Sequence, residues 1–120
     1  MSFDRTQFAR IAKRLVEATG YLELGMPEHA LGRLEGLGDL GPMAAEVDLL
    51  RGEALRCQHR FEDAAHSFQQ AARKFPSPQK RAAWLALSRC YRQAGDTDRA
   101  IQSLANARGA LTGQFKHKPL

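Results

Sequence analysis

A chain of 120 residues, 43% hydrophobic and 26% charged, is sized for one soluble domain with a modest core. Its 18 Lys and Arg against 13 Asp and Glu give a formal charge of +5, which favours acidic partners without naming one. No stretch approaches the roughly 18 uninterrupted apolar residues of a membrane-spanning helix, and residues 1–7 carry no secretory apolar region, so the expected location is the cytoplasm.

The first predicted element is a helix over about 4–24, carried by Phe8, Ile11, Leu15, Ala18 and Leu22 at steps of three and four. Gly25 and then Pro27 punctuate the chain as a helix end and a helix start do, and a second helix is expected over 27–37. Gly36, Gly38 and Pro42 separate it from a third over 43–58. The fourth, over 61–74, shows the clearest single face: Phe61, Ala64, Ala65, Phe68, Ala71, Ala72 and Phe75. Pro76 closes that segment, and Ser77 followed by Pro78 reads as an N-cap and first turn of a fifth helix over 78–94. After Gly95 and Asp96 a sixth helix over 97–112 is carried by Ile101, Leu104, Ala107 and Leu111. The fold class is therefore all-α with six helices.

These helices repeat. Ala30, Ala64 and Ala100 stand 34 and then 36 residues apart, each followed four residues later by a large apolar residue, Leu34, Phe68 or Leu104. Tyr21, Leu55 and Tyr91 form a second column, and the small residues Ala18, Gly52 and Ser88 a third, where a bulky side chain would hold two helix backbones apart. Pro42 and Pro76 also lie 34 apart. Three helix-turn-helix units of about 11–44, 45–80 and 81–113 are expected to form one domain over 1–113, with 114–120 as a short basic tail.

The third unit, Trp84-Leu85-Ala86-Leu87-Ser88-Arg89-Cys90-Tyr91 with Gly95, Ala100 and Leu104, resembles a tetratricopeptide repeat. The second keeps Gly52, Ala64, Phe68, Ala71 and Pro76 but has Asp48 and Arg51 where the family pattern has Trp and Leu. The first keeps Ala18, Tyr21, Gly25, Ala30 and Pro42 and has Arg14 and Glu17 at those places, which fall on the outer start of a helix. The resemblance implies a right-handed α-α superhelix whose concave side is lined by the first helix of each unit. It places Ala12, Leu15, Thr19, Leu22 and Glu23, then Glu46, Leu49, Glu53, Arg56 and Cys57, then Ala82, Leu85, Arg89, Arg92 and Gln93 in a ligand groove. A strip of Leu15, Leu22, Leu49 and Leu85, with acids to one side and arginines to the other, suits an amphipathic helix or an extended apolar peptide. In the competing reading the strip is covered by the protein itself or by a second copy.

The expected function is thus a protein-binding module, an adaptor or a chaperone-like scaffold. Some family members clamp a terminal carboxylate with Lys and Asn, but the corresponding places here are Leu15, Thr19, Leu50, Ala82 and Ala86, so that mode is disfavoured. A short tail leaves the sixth helix poorly covered, and Ile101, Leu104 and Leu111 would support a homodimer unless Phe115 folds back over them. Enzymatic activity is not expected: His29, His59, His66 and His117 are scattered, no Gly-rich phosphate loop occurs, and no cofactor is implied. A metal set of Cys57, His59 and His66 is disfavoured, and Cys57 and Cys90 read as reduced thiols. The alternative is RNA binding through Arg56, Arg60, Arg73, Lys74, Lys80, Arg81, Arg89 and Arg92, with Lys116-His117-Lys118 adding a basic tail. It is disfavoured because Tyr21, Trp84 and Tyr91 occupy repeat-packing positions rather than stacking platforms.

Overall fold

A computed structural model describes residues 3–112, and side chains as far as Gly109. Among the described residues six α-helices follow one another: α1 (Arg5–Glu23), α2 (Pro27–Arg33), α3 (Ala44–Cys57), α4 (Phe61–Lys74), α5 (Gln79–Gln93) and α6 (Thr97–Thr112), with a 3-10 turn at Gly41–Met43. Helices adjacent in sequence pack together, and α3 touches both α1 and α5. The helices therefore stack as pairs along a body of 49 × 32 × 20 Å.

One turn closes each pair. Gly25 N–H donates to Leu22 O at 3.0 Å and Met26 N–H to Tyr21 O at 2.8 Å. His59 and Arg60 repeat this pattern onto Arg56 and Leu55, both at 2.9 Å, and Gly95 and Asp96 onto Arg92 and Tyr91 at 3.1 and 2.8 Å. Each is a Schellman cap, in which a left-handed residue satisfies carbonyls that the helix end leaves open. The left-handed residues are Gly25 (φ 72°), His59 (φ 62°) and Gly95 (φ 86°), so the middle turn makes the same bend with a side chain in place.

The small-residue column lets the paired helices approach. Ala18 lies fully buried in one cluster with Ala30 and Leu34. Ser88 Oγ donates to Ala100 O at 3.0 Å, so its hydroxyl is satisfied at the contact. At Gly52 the Phe68 ring fills the space: a Cβ there would lie 2.6 Å from Phe68 Cε1. The column is thus tuned to the residue it faces, with the smallest side chain opposite the largest.

The departures from the family pattern turn inward, correcting their assignment to an outer helix start. Asp48 is 8% exposed and takes Lys74 Nζ at 2.6 Å and Arg51 Nη1 at 3.4 Å. Arg14 Nη1 donates to Arg33 O at 3.0 Å, Arg51 Nη2 to Leu34 O at 3.3 Å, and Glu17 pairs with Arg33 at 3.7 Å. The carbonyls so capped stand at the end of α2, which stops at Arg33 rather than running to 37. Gly36 (φ 66°) and Gly38 (φ 74°) bend the chain out of the helix, while Leu34 and Leu37 still reach the core. Gln7 Nε2 then holds this loop by donating to Leu37 O at 2.7 Å and Asp39 O at 2.8 Å. Helix α5 begins at Gln79 with Pro78 at the cap position, so the cap lies one residue beyond Ser77.

Two measurements test this packing. Gly52→Ala drives a methyl into the Phe68 ring and lowers stability by about 1–3 kcal/mol, whereas Phe68→Leu in the same chain recovers part of the loss, as a double-mutant cycle in urea will show. Cys90 is buried, with its thiol 3.5 Å from Phe61 O, and burial pushes its pKa up, whereas Cys57 is exposed. A thiol reagent therefore modifies Cys57 in the native protein and reaches Cys90 only after denaturant is added.

Candidate functional site

Between α1 and α3 lies an open groove of about 610 Å³, lined by Ala12, Leu15, Val16, Thr19, Gly20 and Glu23 from α1 and by Met43, Glu46, Leu49 and Leu50 opposite. Its floor is set by residues that also hold the fold. Leu15 is 9% exposed and belongs to the first core cluster, against which Ala12 and Leu50 also pack. Leu49 packs partly buried against the two clusters that involve α4 and α5. Val16, by contrast, is 72% exposed and stands on the groove wall with no covering side chain of its own. Glu23 and Glu46 are exposed at the rim, so an apolar trough is edged by carboxylates. Apolar ligand surface would lose water in the trough, and cations on its flank would meet the rim.

Of the residues expected to line a concave surface, this groove brings together Ala12, Leu15, Thr19, Glu23, Glu46 and Leu49. Leu22 packs against the first core cluster instead. Further along, Arg56 Nη2 pairs with Glu53 at 2.7 Å and Arg56 Nη1 donates to Gln93 Oε1 at 2.9 Å, tying α3 to α5. Leu85 is half-buried and Arg89 and Arg92 are exposed on α5, apart from the groove. Sequence reasoning passed over Val16, Gly20 and Met43, and met Leu50 only as a place of the missing carboxylate clamp. A signal was present: Val16 and Leu50 stand 34 residues apart beside Leu15 and Leu49, which keep the same step.

The remaining chemistry-bearing residues do not converge. His29, His59 and His66 are exposed, His117 lies outside the described residues, and no group of three potential metal ligands occurs among the described residues. Tyr21 and Tyr91 are engaged with the fold. The Arg33 guanidinium sits 5.7 Å from the Tyr21 ring centre, Arg99 lies 5.3 Å from that of Tyr91, and Gln69 Nε2 donates to the Tyr91 hydroxyl at 3.0 Å. Trp84 packs against two core clusters. Several of the basic residues are matched locally: Arg60 pairs with Asp63 at 2.9 Å and Lys74 with Asp48 at 2.6 Å. Among the described residues no helix is long and apolar enough to cross a membrane.

No curated protein matches the chain. The sequence model of the tetratricopeptide repeat family matches residues 49–114, more than half of its length and all of the stretch from α4 to α6. Domains of this family generally mediate protein–protein interaction and are typically not enzymes. With its repeated helical hairpins and this match, the chain belongs to the tetratricopeptide repeat family.

Proposed function

We propose that the protein binds a segment of another protein in the groove between α1 and α3, as an adaptor or chaperone-like scaffold of the cytoplasm. The observation that carries this reading is the exposed apolar wall at Val16 over a trough of about 610 Å³. Leucines at Leu15, Leu49 and Leu50 are held in place by the core beneath them, so the trough is pre-formed and a ligand entering it orders little of the protein. The carboxylates of Glu23 and Glu46 on the rim favour a segment whose apolar stripe is flanked by Lys or Arg, read as a helix in a groove. Local pairing of Arg56, Arg60 and Lys74 with carboxylates weakens the case for RNA as the ligand, since those charges are already partly spent.

Because Val16 is so exposed, Val16→Glu tests the groove without touching the core. The variant keeps its helical circular dichroism and thermal midpoint and loses the proteins that the unaltered chain captures from native extract, as mass spectrometry identifies them. Glu23→Lys with Glu46→Lys weakens the same capture by lowering the association rate, most strongly at low salt. Undiminished capture by Val16→Glu removes the groove as the binding face.

A further inference from the structure

Helix α6 exposes a face that the equivalent helices bury. Ile101 is 60% exposed and Leu104 47% exposed. Their repeat equivalents in α4, Ala65 and Phe68, are 3% and 0% exposed, beneath Ala86, Leu87 and Cys90 of α5. At the C-terminal cap of α2 the counterpart of Leu104 is Leu34, 2% exposed, in one cluster with Val47 and Ala54 of α3. Among the described residues α6 packs on α5 and leaves this side open.

The outer face of α1 is not the counterpart that would extend the stack. Where α3 and α5 insert the fully buried Val47 and Ala83, α1 carries the exposed Lys13. Stacked in that register, Lys13 would come to rest over Ala107 and Arg108, the equivalents of Ala71 and Ala72, and like charges would meet. A head-to-tail chain of copies is thereby disfavoured.

The exposed face of α6 is complementary to itself. Asp98, Ile101, Leu104, Ala105 and Arg108 are all exposed and lie within about 120° of one another around the helix, given its roughly 100° per residue. Asp98 and Arg108 stand equidistant from Ser103, about 15 Å apart along the axis at 1.5 Å per residue. An antiparallel copy centred on Ser103 sets Asp98 of each chain opposite Arg108 of the other, twice. The same operation sets the large Ile101 against the small Ala105, so charge and volume match under one two-fold axis. We infer that α6 is the interface of a homodimer in which two copies of this helix pack antiparallel about Ser103. This goes beyond groove binding, because neither α1 nor the groove takes part.

Sedimentation velocity on the full chain reads the outcome. The unaltered protein shows a concentration-dependent monomer–dimer equilibrium, and Ile101→Glu leaves a folded monomer by circular dichroism. Asp98→Arg and Arg108→Asp each raise the dimer dissociation constant on the order of tenfold, since each places like charges opposite at both ends. An equimolar mixture of these two variants regains the dimer, because every 98–108 pair is then of opposite sign. Mixing alters neither chain's own fold, so that recovery cannot come from repaired stability. A monomer at every concentration, a mixture that stays dissociated, growth beyond dimer, or dissociation by Val16→Glu overturns the inference, the last two by pointing to a head-to-tail stack.

Discussion

The close approach of the two helices in each pair is the constraint on which the remaining structure depends. It is set at one position per pair: Ala18 is buried in one cluster with Ala30, Gly52 lies under the Phe68 ring, and Ser88 Oγ donates to Ala100 O. The large residues Leu34 and Phe68 fill the space so left, Phe68 directly over Gly52, and also pack on the next hairpin, Leu34 with Val47 and Ala54 and Phe68 with Ala86, Leu87 and Cys90. Packing within a pair and packing between pairs are therefore one event.

Polar residues do the work of Trp84 and Leu87 in the first two units. At Asp48 a carboxylate joins Lys74 across the hairpin, and at Arg14 and Arg51 guanidinium groups reach the last carbonyls of α2. This arrangement follows from the shortness of α2: its early end frees backbone acceptors near the core, where leaving one unmade costs about 1–3 kcal/mol. A tryptophan there would offer a single indole N–H in place of the five donors of the Arg14 guanidinium. The departure from the family pattern and the truncated helix are thus two sides of one compensation. The loop is fixed as well as tolerated, because Gln7 bridges Leu37 and Asp39 from the far end of α1.

Helix starts and ends were legible because the signals are local. The Schellman turn at Gly25 and Gly95 needs a left-handed residue, and glycine announces it; His59 does the same without announcement and is found through its place in the repeat. The expected end of α2 runs past the observed one because Leu34 and Leu37 keep a helical spacing of three while Gly36 between them and Gly38 just beyond bend the backbone away from it. For the groove, the family's inward positions led to Leu15, Thr19, Glu46 and Leu49, yet they could not separate a residue spent in the core from one left open. Leu22 is turned into the first core and Val16, one residue beyond Leu15, stands free, a difference fixed by where α3 lies and not by either residue's own chemistry.

The two surfaces of the molecule answer different physical conditions. The trough between α1 and α3 is concave, backed by core and edged by acids, so a ligand there gains apolar burial without rearranging the protein. The open side of α6 is a convex helix face, on which burial requires a second surface of matching relief, and a helix of the same sequence run backwards supplies it. Since α6 packs on α5 and supplies none of the trough's lining, joining two copies through α6 uses none of the trough residues. A dimer is then a bivalent binder, and a partner that presents two segments is held with an effective concentration set by the spacing of the troughs. Affinity of this kind needs only modest binding at each site, which suits a trough walled by a few apolar residues rather than a deep pocket.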